Sequence, residues 1–208
     1  MCGEGSLLIR LESADYAYLL PKHHLILPPI LQTPRLLLRP FTVDDIEASW
    51  QMNLDEAVSR YTGDGGVVSR EELERRIKED VLGDYQRVGY GRMAVVLKET
   101  GTFIGFAGLK YLEDLGETDL GYRLMSTHWG QGYATEACRA ILEDGFPRWK
   151  LESVIALVLP ENVGSVRVLD KLGFEREGEV LEEGLMACQY RLGRRSFEGI
   201  RESRYRGE

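Results

Sequence analysis

Two glycines ahead of a helical pattern are the first place in this sequence where residue types and spacing point to chemistry. They form Gly130-Gln131-Gly132, and a helix is predicted from Tyr133 onward. Its apolar face is formed by Ala134, Ala137, Cys138, Ile141 and Leu142. The first backbone N–H groups of a helix lack partners within the helix and carry partial positive charge. Since glycines let a ligand approach the backbone closely, this loop suits a phosphate group.

The spacing does not match the common nucleotide-binding motifs. A GxGxxG loop would need a third glycine where Thr135 stands, and no GxxxxGK[ST] loop is present. No acidic ribose-binding residue or phosphate-binding lysine falls at the required spacing, so a plain nucleotide-binding module is poorly supported. From these residues alone, an anion site and a simple tight turn both stay open.

A second motif lies in residues 160–174, after the β-branched run Ser153–Val158. Asn162 is a suitable N-cap residue, and Gly173 stands where a glycine commonly follows the end of a helix. The sequence therefore predicts a strand followed by a helix that ends at Leu172.

The two motifs together resemble the GNAT superfamily of acyl-CoA N-acyltransferases. They read WGQGYATEA from Trp129 and, roughly 30 residues later, PENxxSxxVLxKLGF from Pro160. The likeness extends over about residues 33–180 and is strongest to the branch of ribosomal-protein alanine N-acetyltransferases, whose first strand and helix resemble residues 33–45. The resemblance implies a GNAT fold, an α/β domain on a mixed sheet. It also implies acetyl-CoA as cosubstrate without a metal, and direct transfer of the acetyl group to a primary amine in a ternary complex.

The resemblance assigns the CoA contacts to two segments. The pyrophosphate would lie on the backbone of Trp129, Gly130, Gln131, Gly132, Tyr133 and Ala134. The pantetheine arm would pair with the backbone of Tyr122, Arg123 and Leu124, where an N–H group would also polarise the thioester carbonyl. Trp129 replaces the Gln or Arg that is usual in the superfamily, so the backbone amides must carry the phosphate contact.

The resemblance also suggests which residues move protons. Asn162 and Ser165 would lie near the pantetheine and the sulfur, with helix capping as their alternative role. In many GNAT enzymes a tyrosine seven residues after this asparagine protonates the thiolate, but Leu169 occupies that position here. Ser165 is then the candidate proton donor, through water because a hydroxyl is a weak acid.

Three carboxylates are candidates for the general base. Asp119 directly precedes the Leu-Gly-Tyr of the motif strand, where family members often carry a carboxylate that faces the acceptor amine. We expect Asp119 to act through a water molecule, and Glu117 and Glu136 remain alternatives. Glu136 falls in the first helical turn, where an acid also compensates the helix dipole.

The resemblance also implies that the region after the first helix, residues 55–68, lines the acceptor side of the cleft. The candidate contacts are Trp50, Glu56, Tyr61 and Asp64, each with an ordinary core or solvated role as the alternative. A net charge of −8 fits a cationic acceptor, either a peptide N-terminus, a polyamine or an aminoglycoside-like amine, and disfavours nucleic acid. A non-catalytic acyl-CoA-binding protein on the same fold is the alternative function.

Composition agrees with an ordinary globular protein. The chain has 208 residues, of which 43% are hydrophobic and 29% are charged. Its three cysteines, Cys2, Cys138 and Cys188, are too scattered for a disulfide framework or a zinc site. No apolar run is long enough to span a membrane, and we expect a cytoplasmic protein.

The order of patterns predicts one domain with two extensions. Residues 1–32 form an N-terminal extension, 33–192 the GNAT domain and 193–208 an arginine-rich C-terminal tail that we expect to be flexible. The extension could add a strand or pack as an arm, and its apolar residues leave a homodimer open. Within the domain, Thr42 is predicted to cap a helix over 43–53, and Ser69 to open one that ends at Leu82.

Overall fold

A computed structural model describes residues 27–61, 66–182 and 184–206. Most of the expected N-terminal extension, residues 1–26, lies outside these ranges. The strands are β1 (Leu31–Gln32), β2 (Leu36–Pro40), β3 (Arg92–Leu97), β4 (Phe103–Leu112), β5 (Glu117–Leu124), β6 (Ser153–Val158), β7 (Glu175–Glu182) and β8 (Leu185–Gly193). They form a sheet in the order β1-β2-β3-β4-β5-β6-β8-β7. The mixed α/β class predicted from the sequence is confirmed.

The helices lie mainly before β3 and on either side of β6. They are α1 (Asp45–Asn53), α2 (Glu56–Ser59), α3 (Arg70–Arg75), α4 (Leu82–Arg87), α5 (Tyr133–Arg148), α6 (Val163–Leu172) and α7 (Arg194–Arg206). A π-helical segment, Arg76–Val81, joins α3 to α4. None of the described helices is long and apolar enough to cross a membrane.

The sheet changes character between β5 and β6. All other neighbouring strands are antiparallel, and β5 pairs with β4 along its whole length, from Glu117 to Leu124. β5 and β6 are parallel because α5 connects them as a crossover. Their register holds a single pair, Asp119 opposite Ile155. The edge of β5 after Asp119 is therefore left open on the β6 side.

Two apolar clusters cover the two faces of the sheet. Met93 and Val95 belong to the larger cluster, which also contains the apolar faces of α5 and α6, whereas Ala94 belongs to a smaller cluster with Phe41 and Tyr85. This alternation along β3 is what a strand with both faces covered requires. The core thereby fixes which side chains of each strand face the α5 side.

The beginning of α1 differs from the prediction. Thr42 does not cap the helix, which starts at Asp45 rather than at 43. The Asp45 carboxylate instead accepts a hydrogen bond from the Thr42 backbone N–H at 2.8 Å and pairs with Arg39 through two contacts of 2.7 Å. The buried ion pair, which sequence pattern does not reveal, therefore determines the local geometry.

The helix opened by Ser69 is longer than predicted. The Ser69 hydroxyl accepts from the Glu72 N–H at 3.1 Å, as expected of an N-cap. The helical course then continues through the π-helical segment to Arg87 instead of ending at Leu82. The π-helical segment brings residues of this helix to the cleft described below.

The C-terminal segment, expected as a tail, contains helix α7. Phe197 is only 1% exposed, and its ring lies 5.3 Å from that of Phe146. Ile200 approaches Gly173 so closely that a Cβ there would lie 2.1 Å from its Cδ1 atom. Gly173 also has a φ of +89°, so both the backbone and the contact require glycine. The core thus includes residues that composition alone assigns to a tail.

Candidate active site

A cleft of about 1200 Å³ opens where β5 and β6 separate. Its walls include residues 120–124 of β5, residues 156–159 at the end of β6, and the first turns of α5 and α6. Asp119, at the single β5–β6 pair, also lines it. The cleft is therefore a direct consequence of the way the two parallel strands diverge.

The glycine loop presents the uncapped start of α5 to this cleft. Gly130 and Gly132 have φ values of +73° and +82°, in the left-handed region that favours glycine. Gly132 is the N-cap residue, and no side chain caps the helix. Tyr133, Ala134 and Thr135, whose N–H groups belong to the first turn, all line the cleft. This arrangement can bind an anion through backbone amides alone.

Trp129 holds the loop against the end of β5. Its indole N–H donates a hydrogen bond to the Leu124 carbonyl at 2.7 Å, while the side chain remains 43% exposed. Gln131 does not line the cleft: its side-chain amide donates to the Thr127 carbonyl, and its own carbonyl accepts from Arg35 at 3.0 Å. Trp129 is thus a structural anchor of the loop, and a CoA contact by Gln131 stays a prediction.

Glu136 is occupied by contacts with the segment before β2. Its carboxylate accepts hydrogen bonds from the Thr33 hydroxyl at 2.6 Å and from the Arg35 backbone and side chain at 3.0 and 2.7 Å. Burial acts to raise the pKa of Glu136, but these hydrogen bonds and the Arg35 charge outweigh it and lower the pKa. The Arg35 guanidinium also lies 4.3 Å from the centre of the Tyr133 ring. Glu136 therefore links the start of α5 to the segment that leads into β2.

Asp119 is buried at the base of the cleft beside an arginine that the sequence did not suggest. Its carboxylate lies 2.5 Å from an Nη atom of Arg92, and both residues line the cleft. Arg92 also donates hydrogen bonds to the carbonyls of Gly108 and Gly121. Arg92 thus links β3, β4 and β5 beneath the cleft and balances the charge of Asp119. Strand alternation could have indicated the face of Arg92 but not its partner.

Glu117 lies outside the cleft. Its carboxylate forms a two-point ion pair with Arg191, at 2.9 and 3.2 Å, and Arg191 also binds Glu177 at 2.6 Å. Of the three carboxylates considered as bases, Asp119 is the one that lines the cleft. Its catalytic role stays a prediction.

Asn162 and Ser165 meet at the start of α6, on the opposite wall. The Asn162 side chain accepts from the Ser165 backbone N–H at 3.1 Å, which confirms its predicted capping role, and both residues line the cleft. Leu169, at the position of the family's tyrosine, is buried in the core. Ser165 is half-buried and lines the cleft.

The strand residues Tyr122 and Arg123 point their side chains in different directions. Tyr122 packs against the larger apolar cluster, and its buried hydroxyl has no hydrogen-bond partner among the described residues. Burial raises the pKa of this phenol, and the nearby Ser165 hydroxyl opposes the shift. Arg123 places its guanidinium 5.6 Å from the centre of the Phe106 ring, which belongs to the surroundings of the smaller cluster.

The acceptor side of the cleft only partly matches the prediction. Tyr61 lines the cleft, whereas Trp50 and Glu56 do not, and Asp64 lies outside the described residues. The π-helical segment and α4 contribute cleft residues that the sequence did not single out, namely Ile77, Asp80, Val81 and Asp84. Asp84 is buried, which raises its pKa, and it pairs with Arg87 at 2.5 Å. Among the described residues, no cluster of His, Cys, Asp and Glu is placed to hold a metal.

Comparisons with known proteins agree with this geometry. The model of the acetyltransferase (GNAT) domain family matches residues 35–175. The N-acetyltransferase p20 of Bacillus licheniformis, described as uncharacterized, is 31% identical over 150 residues, which cover 71% of this chain and 83% of that protein. The chain therefore belongs to the GNAT acetyltransferase family, and it is an acyltransferase of the N-acetyltransferase class.

Solved structures support the same fold. An acetyltransferase of Agrobacterium tumefaciens superposes with a TM-score of 0.70 at 27% identity, covering 80% of this chain and 95% of that one. An aminoglycoside acetyltransferase in complex with coenzyme A superposes with a TM-score of 0.68 at 21% identity, covering 80% and 99%. At that identity the second comparison shows the fold alone. The predicted GNAT fold is confirmed.

Proposed function

We propose that the protein transfers an acetyl group from acetyl-CoA to the primary amine of a cationic acceptor, directly within a ternary complex. One observation carries this proposal: β5 and β6 separate after Asp119, and the opening leads to the uncapped start of α5. The opening between the strands, which suits the extended pantetheine arm, therefore leads to the helix start, which suits the pyrophosphate.

The residues present fit acetyl-CoA. The pyrophosphate would accept hydrogen bonds from the first amides of α5, where the helix dipole favours negative charge. The pantetheine arm would lie along the open edge of β5, at residues 120–124, as an added strand does. Asn162 would face the arm from the start of α6. The positive φ values of Gly130 and Gly132 keep the loop in the shape that exposes these amides.

The chemistry needs a base near the amine and a proton near the sulfur. Asp119 would accept the proton of the attacking amine through water, because its carboxylate lies at the base of the cleft. Ser165 would donate a hydrogen bond to the departing sulfur from the opposite wall. No cysteine lines the described part of the cleft, so an acyl-cysteine intermediate has no candidate there. This favours direct transfer.

The acceptor enters from the side formed by α1–α4. Here the cleft is lined by Glu72, Asp80 and Asp84 as well as by Arg75 and Arg76. Glu72 is paired with both arginines, at 2.8 and 2.7 Å. A protein with a formal net charge of −8 attracts cationic amines over longer distances. Peptide N-termini, polyamines and aminoglycosides all carry a cationic amine and are therefore candidate acceptors.

The test is thiol release from acetyl-CoA with a panel of these amines. We expect amine-dependent release, with double-reciprocal lines that intersect as a ternary complex requires. Asp119→Asn should lower kcat about 100-fold, the lower range for a lost general base. Glu117→Gln, which breaks an ion pair outside the cleft, is the matched control. If acetyl-CoA raises the melting temperature but no amine causes release, the binding-only alternative replaces the enzyme.

A further inference from the structure

The hydroxyl of Tyr122 is a buried polar group that the described part of the chain leaves unpaired. Its oxygen is shielded from solvent and makes no hydrogen bond within the described residues. Buried polar groups in native proteins are nearly always paired, because leaving one unpaired costs stability. The rest of the side chain is satisfied by packing in the larger apolar cluster, and phenylalanine would supply the same packing. The hydroxyl therefore needs an explanation other than folding.

Strand register determines where this hydroxyl points. Tyr122 lies opposite Ala107 on β4, and Leu120 and Leu124, two residues away on either side, belong to the same apolar cluster. Side chains at this spacing share one face of a strand. Tyr122 thus faces α5 and α6, with the thiol of Cys138 as a neighbour and the Ser165 hydroxyl toward the cleft.

We propose that Tyr122 is a positioning residue, whose hydroxyl orients the Ser165 hydroxyl toward the sulfur of CoA. The inference rests on the proposed function, since it assigns the sulfur to the Ser165 end of the cleft. Both residues are half-buried and both line the cleft, but the Tyr122 hydroxyl oxygen is itself shielded from solvent. The pair therefore runs from the core to the cleft.

The direction of the hydrogen bonds follows from the acidity of the two groups. A tyrosine hydroxyl is protonated at neutral pH and is a stronger acid than a serine alcohol, so the Tyr122 hydroxyl is the better donor of the two. When it donates to the Ser165 oxygen, the serine hydrogen is free to point at the sulfur. As the N–C bond forms and the C–S bond breaks, the electron pair remains on sulfur and accepts this hydrogen bond. The proton lost by the amine passes through water to Asp119, and solvent supplies the proton that yields the thiol.

A binding experiment tests this arrangement without turnover. The dissociation constants of CoA and of desulfo-CoA, which lacks the sulfur, are measured for wild type, Tyr122→Phe and Ser165→Ala. We expect each substitution to reduce the preference for CoA over desulfo-CoA about fivefold, the worth of one hydrogen bond, without weakening desulfo-CoA. Tyr111→Phe, on an exposed residue of β4, is the control and should keep the wild-type ratio.

Turnover gives the second readout. Tyr122→Phe and Ser165→Ala should lower kcat with little change in the KM of the amine, and the double variant should be no slower than Ser165→Ala alone. An unchanged CoA to desulfo-CoA ratio in Tyr122→Phe overturns the inference and leaves the proposed function intact. If the wild-type protein binds neither CoA nor desulfo-CoA, the proposed function fails together with it. Multiplicative effects in the double variant would also overturn the inference, because the two hydroxyls would then act separately.

Discussion

Replacing Gly132 by alanine should weaken acetyl-CoA binding by an amount that the backbone predicts. Gly132 has a φ of +82°, and a Cβ there would meet only an Nη atom of Arg35, at 3.5 Å, which is ordinary contact. The cost is therefore the left-handed backbone, about 1–2 kcal/mol for a non-glycine residue. In the free Gly132→Ala protein the loop can relax out of this conformation, and binding must restore it. The dissociation constant should then rise about 5- to 30-fold.

Gly101→Ala is the matched control for this effect. Gly101 has a φ of +69°, nothing lies within 4 Å of its Cβ position, and it belongs to the turn between β3 and β4, outside the cleft. Denaturant unfolding measures the strain in each variant, and calorimetric titration with acetyl-CoA measures binding. We expect Gly101→Ala to lose stability but keep its affinity, and Gly132→Ala, whose loop relaxes in the free protein, to lose mainly affinity. Equal acetyl-CoA affinities in the two variants would refute the assignment of the α5 start as the phosphate site.

Three further substitutions test contacts that stabilise the start of α5, the glycine loop and the core. Glu136→Gln should lower the free energy of unfolding by only about 1 kcal/mol, because the side chain of its partner Arg35 is 46% exposed. The pKa of Glu136 is lower in the folded protein than its unfolded value of 4.5. The stabilisation by its carboxylate is therefore complete above the unfolded pKa and is lost as the pH falls through the folded pKa. The difference in unfolding free energy between wild type and Glu136→Gln should then vanish in acid. Trp129→Phe removes the bond to Leu124 and should cost about 1 kcal/mol, with weaker acetyl-CoA binding in the same titration. Phe197→Ala should cost about 3–5 kcal/mol in denaturant unfolding if α7 is part of the core, whereas a loss below about 1 kcal/mol would mean that α7 is a dispensable tail.

Local signals predicted the site's framework well. Helical periodicity after Gly132 and the Asn162 cap placed α5 and α6 correctly, because both depend on residues close together in the chain. The strand before the glycine loop, which contains Tyr122, was also expected. These elements bring most of the predicted CoA residues to one cleft.

Features that depend on contacts between distant residues could not be predicted. The Asp119–Arg92 pair joins residues 27 apart in sequence, and the Thr33–Glu136 bond joins residues 103 apart. Arginine-rich composition suggested a tail at 193–208, but burial of Phe197 depends on the surface that α5 offers. The identity of the acceptor, a cytoplasmic location and a homodimer stay predictions, because no local sequence pattern determines them.

Acetyl-CoA is proposed to occupy the opening between β5 and β6. Amide hydrogen exchange, measured with and without acetyl-CoA, tests this placement. We predict slower exchange in residues 120–124 of β5 and in the first turn of α5, from Tyr133 to Thr135, with little change in the hairpin of β3 and β4. If acetyl-CoA binds tightly but leaves exchange in both segments unchanged, or protects other parts of the chain instead, it does not occupy this opening.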